Sequence, residues 1–85
     1  MAIDRVTYEA YIITKDDCDE YFEDENLDDL MDFIYKYVIY DDMDKKFTDR
    51  IIIKRVEYER WYDTEYDEWF LAPVSEREVV IINSL

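Results

Sequence analysis

Apolar positions change their spacing along this chain, and the elements they predict change with them. RVTYEAYIIT (5–14) concentrates β-branched and aromatic residues and predicts a strand. Thr14 then offers a cap for a short helix over 15–23. At 100° per residue Cys18, Tyr21 and Phe22 share one arc of that helix, with Asp16, Asp17, Asp19, Glu20 and Glu23 around the rest. The following segment has a cleaner period. From Asn26 as cap, Leu27, Leu30, Met31, Ile34 and Val38 recur at i, i+3, i+4, i+7 and i+11. Glu25, Asp28, Asp29 and Asp32 occupy the opposite face, and Lys36 ends that stripe. The β-like composition of YKYVIY (35–40) leaves the end of this helix open.

The second half alternates strands with turns. DDMDKKFTD (41–49) is an acidic turn, and RIIIKRVEYERWY (50–62) a long strand. DTEYDE (63–68) turns into a shorter strand at 68–72, stopped by Pro73; a turn at 74–78 leads to a last strand at 78–84. Its run Val79, Val80, Ile81, Ile82 predicts burial on both faces. The order is β-α-α-β-β-β within one domain, 1–85. The simplest packing is α+β: an antiparallel sheet of about four strands with one or two helices on one face. Helix 27–38 then packs on a sheet containing Val6, Tyr8, Val56, Val80 and Ile82.

Composition narrows the chemistry. With 49% hydrophobic residues, 85 residues suffice for a modest core. Glycine is absent, which rules out phosphate-cradling loops of the Walker and dinucleotide types. It also removes Asn-Gly hairpins, so turns are expected to be longer and built on Asp, Thr and Ser. One Cys and no His allow neither an internal disulfide nor a zinc site of the usual ligands, and no cofactor is implied. The lone thiol fits a reducing compartment. Asp4, Arg5 and Glu9 interrupt any signal pattern, and no apolar run approaches the ~20 residues of a membrane span. The expectation is a soluble cytoplasmic protein, in the host cytoplasm if phage-encoded.

Net charge is −14, from 24 acids against 10 bases. Such charge can keep a chain disordered, but disordered chains are poor in aromatics, and this one has nine Tyr, four Phe and two Trp. The charge is therefore displayed on an ordered surface. Catalysis is not expected. The common nucleophile–base pairs are missing, and the carboxylates fall on solvated faces rather than in a pocket that would set two pKa values apart. Calcium loops fail as well. Counting from Asp17, Phe22 takes the glycine position and Asp28 the twelfth; counting from Asp42, the same places hold Phe47 and Ile53.

The charge itself is the remaining candidate. A charged helix face is usually just solvated, and strand aromatics are usually core. Segregation along the chain outweighs that reading here. Residues 16–44 hold 13 acids and one base, whereas 45–60 hold six bases and three acids. Solubility needs a net charge of only ~2–8 with both signs mixed. Candidate partner-binding residues are Asp16, Asp17, Asp19, Glu20, Glu23, Asp24, Glu25, Asp28, Asp29, Asp32, Asp41, Asp42 and Asp44, with Tyr35 and Tyr40. Tyr21, Phe22, Tyr62 and Tyr66 are further apolar anchors, because aromatics dominate interface hot spots.

In size, charge and interleaved aromatics over 15–68, the chain resembles the small acidic DNA-mimic inhibitors of phages and mobile elements: anti-CRISPR proteins, anti-restriction proteins and inhibitors of uracil-DNA glycosylase. The resemblance carries over no individual binding residue. It implies a monomer or homodimer that does not touch nucleic acid or membrane. Its partner would be a basic DNA- or RNA-binding protein: a Cas effector, restriction enzyme, repair enzyme or nucleoid protein. The alternative is an immunity-type inhibitor or antitoxin that neutralises a basic nuclease.

Overall fold

The computed structural model describes residues 3–15, 19–39 and 48–83. Four antiparallel strands and one helix make a mostly β, α+β architecture. Strand β1 is Arg5–Thr14, β2 Glu20–Asp24, helix α1 Leu27–Ile34, β3 Thr48–Asp63 and β4 Glu68–Ile82. The sheet order is β2-β1-β3-β4, so β2 and β4 are the two edges.

Strand β1 and helix α1 lie where the hydrophobic pattern puts them. Asn26 caps α1: its backbone is extended and its side chain accepts from the Asp29 N–H at 3.1 Å. Beyond Ile34 the chain continues as a π-helical stretch, Tyr35–Ile39, which keeps Val38 on the buried side. The β-like composition of 35–39 thus gives a widened helical turn, not a strand.

Three expectations are corrected. Of the helix expected over 15–23, residues 20–23 are not helical, because Glu20–Asp24 pairs with β1 as an edge strand. Tyr21 then lies opposite Tyr11 and Phe22 opposite Ala10, on different faces, where a helix would have set them side by side. Pro73 does not end a strand either: β4 runs through it without a turn at 74–78. An edge strand tolerates proline, particularly at a bulge, and Val74 is the extra residue between the pairs Glu57–Ser75 and Tyr58–Pro73. Finally, 79–82 is not buried on both faces. As part of an edge strand it leaves Val79 and Ile81 exposed. Among the described residues the order is β-β-α-β-β.

The core sits between α1 and one sheet face. Paired residues share a face, so Phe22, Ala10, Ile53 and Val80 form one row and Ile12, Ile51 and Ile82 the next. Leu30, Ile34 and Val38 close over these rows. The helix stripe is as expected, but the sheet side is centred on Ala10, Ile12, Ile51 and Ile53. Tyr8, Val80 and Ile82 pack only at its margin. Val6 stays outside the cluster, and Val56, although buried, shares the opposite face with Thr7.

Strands β3 and β4 outrun β1, whose last rung is Arg5–Tyr58. Asp4 extends that edge by one step, donating its N–H to the Tyr58 carbonyl at 2.9 Å and accepting the Arg60 N–H on its carboxylate at 2.7 Å. From there 59–72 projects as a two-stranded arm, giving the molecule a long dimension of 50 Å. The turn at its tip, 64–67, is built without glycine. Asp63 accepts from the N–H groups of Glu65 and Tyr66 at 2.9 and 3.3 Å, and Asp67 takes the left-handed conformation at φ 53°.

Candidate functional site

The acids of 20–32 gather at the β2 edge and on the outer side of α1. Glu20, Glu23 and Asp24 come from β2, Glu25 from the bend after it, and Asp28, Asp29 and Asp32 from α1. Asp24 is half-buried and the others exposed. Glu25 therefore precedes the helix instead of riding on its face. Asp16, Asp17, Asp41, Asp42, Asp44 and Tyr40 lie outside the described residues.

Local structure uses some of these carboxylates. Asp19 accepts the Thr14 N–H at 3.0 Å, and Asp24 accepts the Asn26 N–H at 2.8 Å, which sets the chain's entry into α1. Glu25 is paired with Arg5 at 2.8 Å. Among the described residues, the carboxylates of Glu20, Asp28, Asp29 and Asp32 meet neither a cation nor a donor. Asp28 and Asp29 also stand in the first turn of α1, where the helix dipole favours negative charge. Asp32 is beyond that benefit.

Between β2 and α1 runs a cleft of about 270 Å³ lined by Phe22, Glu23, Asp24, Asp29, Leu30 and Phe33. Its floor is aromatic. The Phe22 and Phe33 rings are 4.8 Å apart, as are those of Phe33 and Tyr37, and Lys36 holds its ammonium 5.3 Å from the Tyr37 ring. Asp29, Phe33 and Tyr37 are spaced four apart, which places them on the helix side facing β2. That spacing was the available signal for Phe33 and Tyr37, neither of which the hydrophobic pattern singles out. Tyr35 is exposed on the same helical stretch.

The sheet face turned away from α1 carries a second network. The Tyr21 hydroxyl stands 3.0 Å from Glu9 and 2.8 Å from Glu23 and shares its single proton between them, Tyr11 donates to the other oxygen of Glu9 at 2.8 Å, and the two rings meet edge-on at 5.3 Å. Burial, reinforced by the hydrogen bond to Glu9 and its charge, pushes the Tyr11 hydroxyl up to about 12; burial and the bonds to Glu23 and Glu9 push Tyr21 up as well. Lys54 stands over the Tyr11 ring at 5.2 Å and pairs with Glu76 at 3.2 Å. Its acids are thus engaged by hydroxyls and an ammonium, unlike the outer acids of α1. Tyr21 belongs to this face and not to the acidic cleft.

Chemically the β2–α1 surface is a rim of negative charge over aromatic rings. Among the described residues no group of three or more carboxylates or thiols converges as a metal ion would require, and no helix is long and apolar enough to cross a membrane. The arm exposes Tyr62 and Tyr66, expected as anchors, Tyr66 by 70%, together with Trp61, Trp69, Phe70 and Leu71, which the sequence pattern did not single out, Trp69 by 65%. Comparison with family models, curated proteins and solved structures returned no match.

Proposed function

We propose that this chain is a DNA-mimic inhibitor whose β2–α1 surface occupies the basic channel of a nucleic-acid-binding protein. The observation that carries the reading is the set of free carboxylates, Glu20, Asp28, Asp29 and Asp32, on regular elements and without a cation among the described residues. Carboxylates three or four apart on a helix stand ~5–6 Å from one another. That is comparable with consecutive phosphates on one DNA strand. Their mutual repulsion costs stability that a merely solvated face would not need to spend. The partner is a Cas effector, restriction enzyme, repair enzyme or nucleoid protein, met in the cytoplasm. The chain acts by steric and electrostatic occlusion, with no catalysis, cofactor or nucleic-acid contact of its own.

The test is displacement. Purified members of those four partner classes are each bound to labelled duplex DNA and titrated with the chain. Release of DNA from one of them, weakening steeply with salt, supports mimicry, provided the chain alone does not bind the DNA. The variant carrying Asp28→Lys and Asp32→Lys should stay folded and lose displacement. Full displacement by that variant, or none from any partner by the native chain, defeats the reading. Tight capture of a nuclease without release of its DNA would support an immunity-type inhibitor instead.

A further inference from the structure

The arm at 59–72 is unlike the rest of the surface. Both tryptophans of the chain stand on it, and neither helps to fill the core. A two-stranded ribbon is marginal by itself, and monomeric proteins rarely leave so many large apolar side chains together in water. Charge separates it further. From Trp61 to Ala72 there is no base, while Asp63, Glu65, Asp67 and Glu68 surround the tip. The arm is an aromatic shaft with an anionic end.

That combination fits guanidinium groups. Arginine stacks flat on aromatic rings and also pairs bidentately with carboxylates, whereas the ammonium of lysine is a strongly hydrated point charge. The rung Asp63–Glu68 directly follows the rung Tyr62–Trp69, so a groove that meets the rings also meets the acids of the tip. Tyr62 and Trp69, paired across the ribbon with ring centroids 5.2 Å apart, make a tilted platform on one face, and Trp61 lies opposite Phe70 on the other.

A second copy fits less well. Two anionic tips would repel, and the adjoining edge of β4 opposes self-pairing. A two-fold axis through Arg77 sets arginine against arginine and Glu76 against Glu78; an axis through Glu76 sets two glutamates together. Pro73 and the bulges at Val74 and Val79 interrupt the same edge.

We propose that the arm docks into an arginine-lined groove of the partner, its rings stacked on guanidinium groups and its tip carboxylates paired with them. This rests on the reading of the partner as a basic nucleic-acid-binding protein and adds a second contact, beyond the β2–α1 surface.

Because Trp61 and Trp69 are the only tryptophans, intrinsic fluorescence reports on the arm directly, and occupancy of the β2–α1 surface is silent in it. The full chain is titrated with nona-arginine and, separately, with nona-lysine. Arginine peptide should change tryptophan emission saturably, with an affinity about tenfold above that of the lysine peptide in this readout. Tyr66→Ala, in the exposed turn, and Trp69→Ala, with Trp61 left as reporter, should each weaken the arginine response severalfold. Tyr66→Ala keeps the test decisive if Trp69→Ala disorders the arm. Calorimetric binding of the arginine peptide with unchanged emission overturns the proposal, as does an equal response to lysine. An emission shift with protein concentration alone, accompanied by a doubled hydrodynamic mass, assigns the arm to a second copy and overturns it too. A silent arm leaves DNA displacement by the β2–α1 surface standing, and failed displacement leaves the arm's arginine response intact.

Discussion

Tyr21 and Glu9 face each other across β2 and β1, hydroxyl to Oε1 at 3.0 Å, while Oε2 of the same carboxylate takes the Tyr11 hydroxyl at 2.8 Å. Both oxygens of one carboxylate thus meet phenols on the sheet face turned away from α1. The two phenols must stay protonated to donate.

This predicts an alkaline limit to stability. The folded chain holds Tyr11 near 12 and Tyr21 above the ordinary value of 10.0, so the unfolded chain loses these protons first. Stability is complete below pH 10 and falls as pH climbs from there toward 12. Denaturant midpoints measured across that range should decline, and the double variant Tyr11→Phe, Tyr21→Phe should flatten the decline. An unchanged slope in the variant would remove the phenols as its source.

The helix register is tested in the core. Leu30 and Ile34 are 2% and 0% exposed, and truncating either to Ala should cost ~2–5 kcal/mol in urea unfolding. Ala at Val6, outside the cluster, should cost less than either.

The cap is tested at Asn26. Its side chain accepts one of the free N–H groups of the first turn, so Asn26→Ala should cost ~0.5–2 kcal/mol, and Asn26→Gly only a few tenths. Equal losses in the two variants would argue against the cap.

Charge repulsion on the outer side of α1 is tested with salt. Unpaired carboxylates repel less when screened, so the melting temperature at neutral pH should rise toward ~1 M NaCl, where the screening length is ~3 Å. Replacing Asp28 and Asp32 by Lys should raise stability by ~0.2–0.5 kcal/mol per relieved pair and shrink the salt response.

Legibility followed the length of each pattern. Helix α1 was readable because Leu27, Leu30, Met31 and Ile34 keep one period, carried on by Val38 in the stretch beyond it, and Asn26 stands at their head. Strand β2 was not, since five residues carry too few repeats. Its acids suit a helix surface as well as an edge strand, and only pairing with β1 separates Tyr21 from Phe22. Strand β4 was cut in two because Pro73 reads as a stop wherever its neighbours are unknown; a bulge on an edge removes the penalty. The β2–α1 acids were legible as a charge run, and Asp28, Asp29 and Asp32 are exposed as that run implied. The arm was hidden for a different reason. Alternating aromatics look the same whether a helix covers them or solvent does, and nothing local to 61–70 says that β1 ends at Tyr58's rung.

The rungs between β3 and β4 also bear on the order in which the chain can assemble. Starting from Asp63–Glu68 they close a loop of only a few residues, and each further rung lengthens the ladder without a new search. Joining β1 to β3 instead requires bringing together segments that lie some forty residues apart, at a higher entropic cost and a slower rate. The hairpin that projects furthest from the finished core therefore does not wait on the long closure, and neither does the pairing of β2 with β1, since Ile12 and Glu20 are only eight residues apart. Helix α1 does wait on it, because half of the face it covers is supplied by Ile51 and Ile53 of β3.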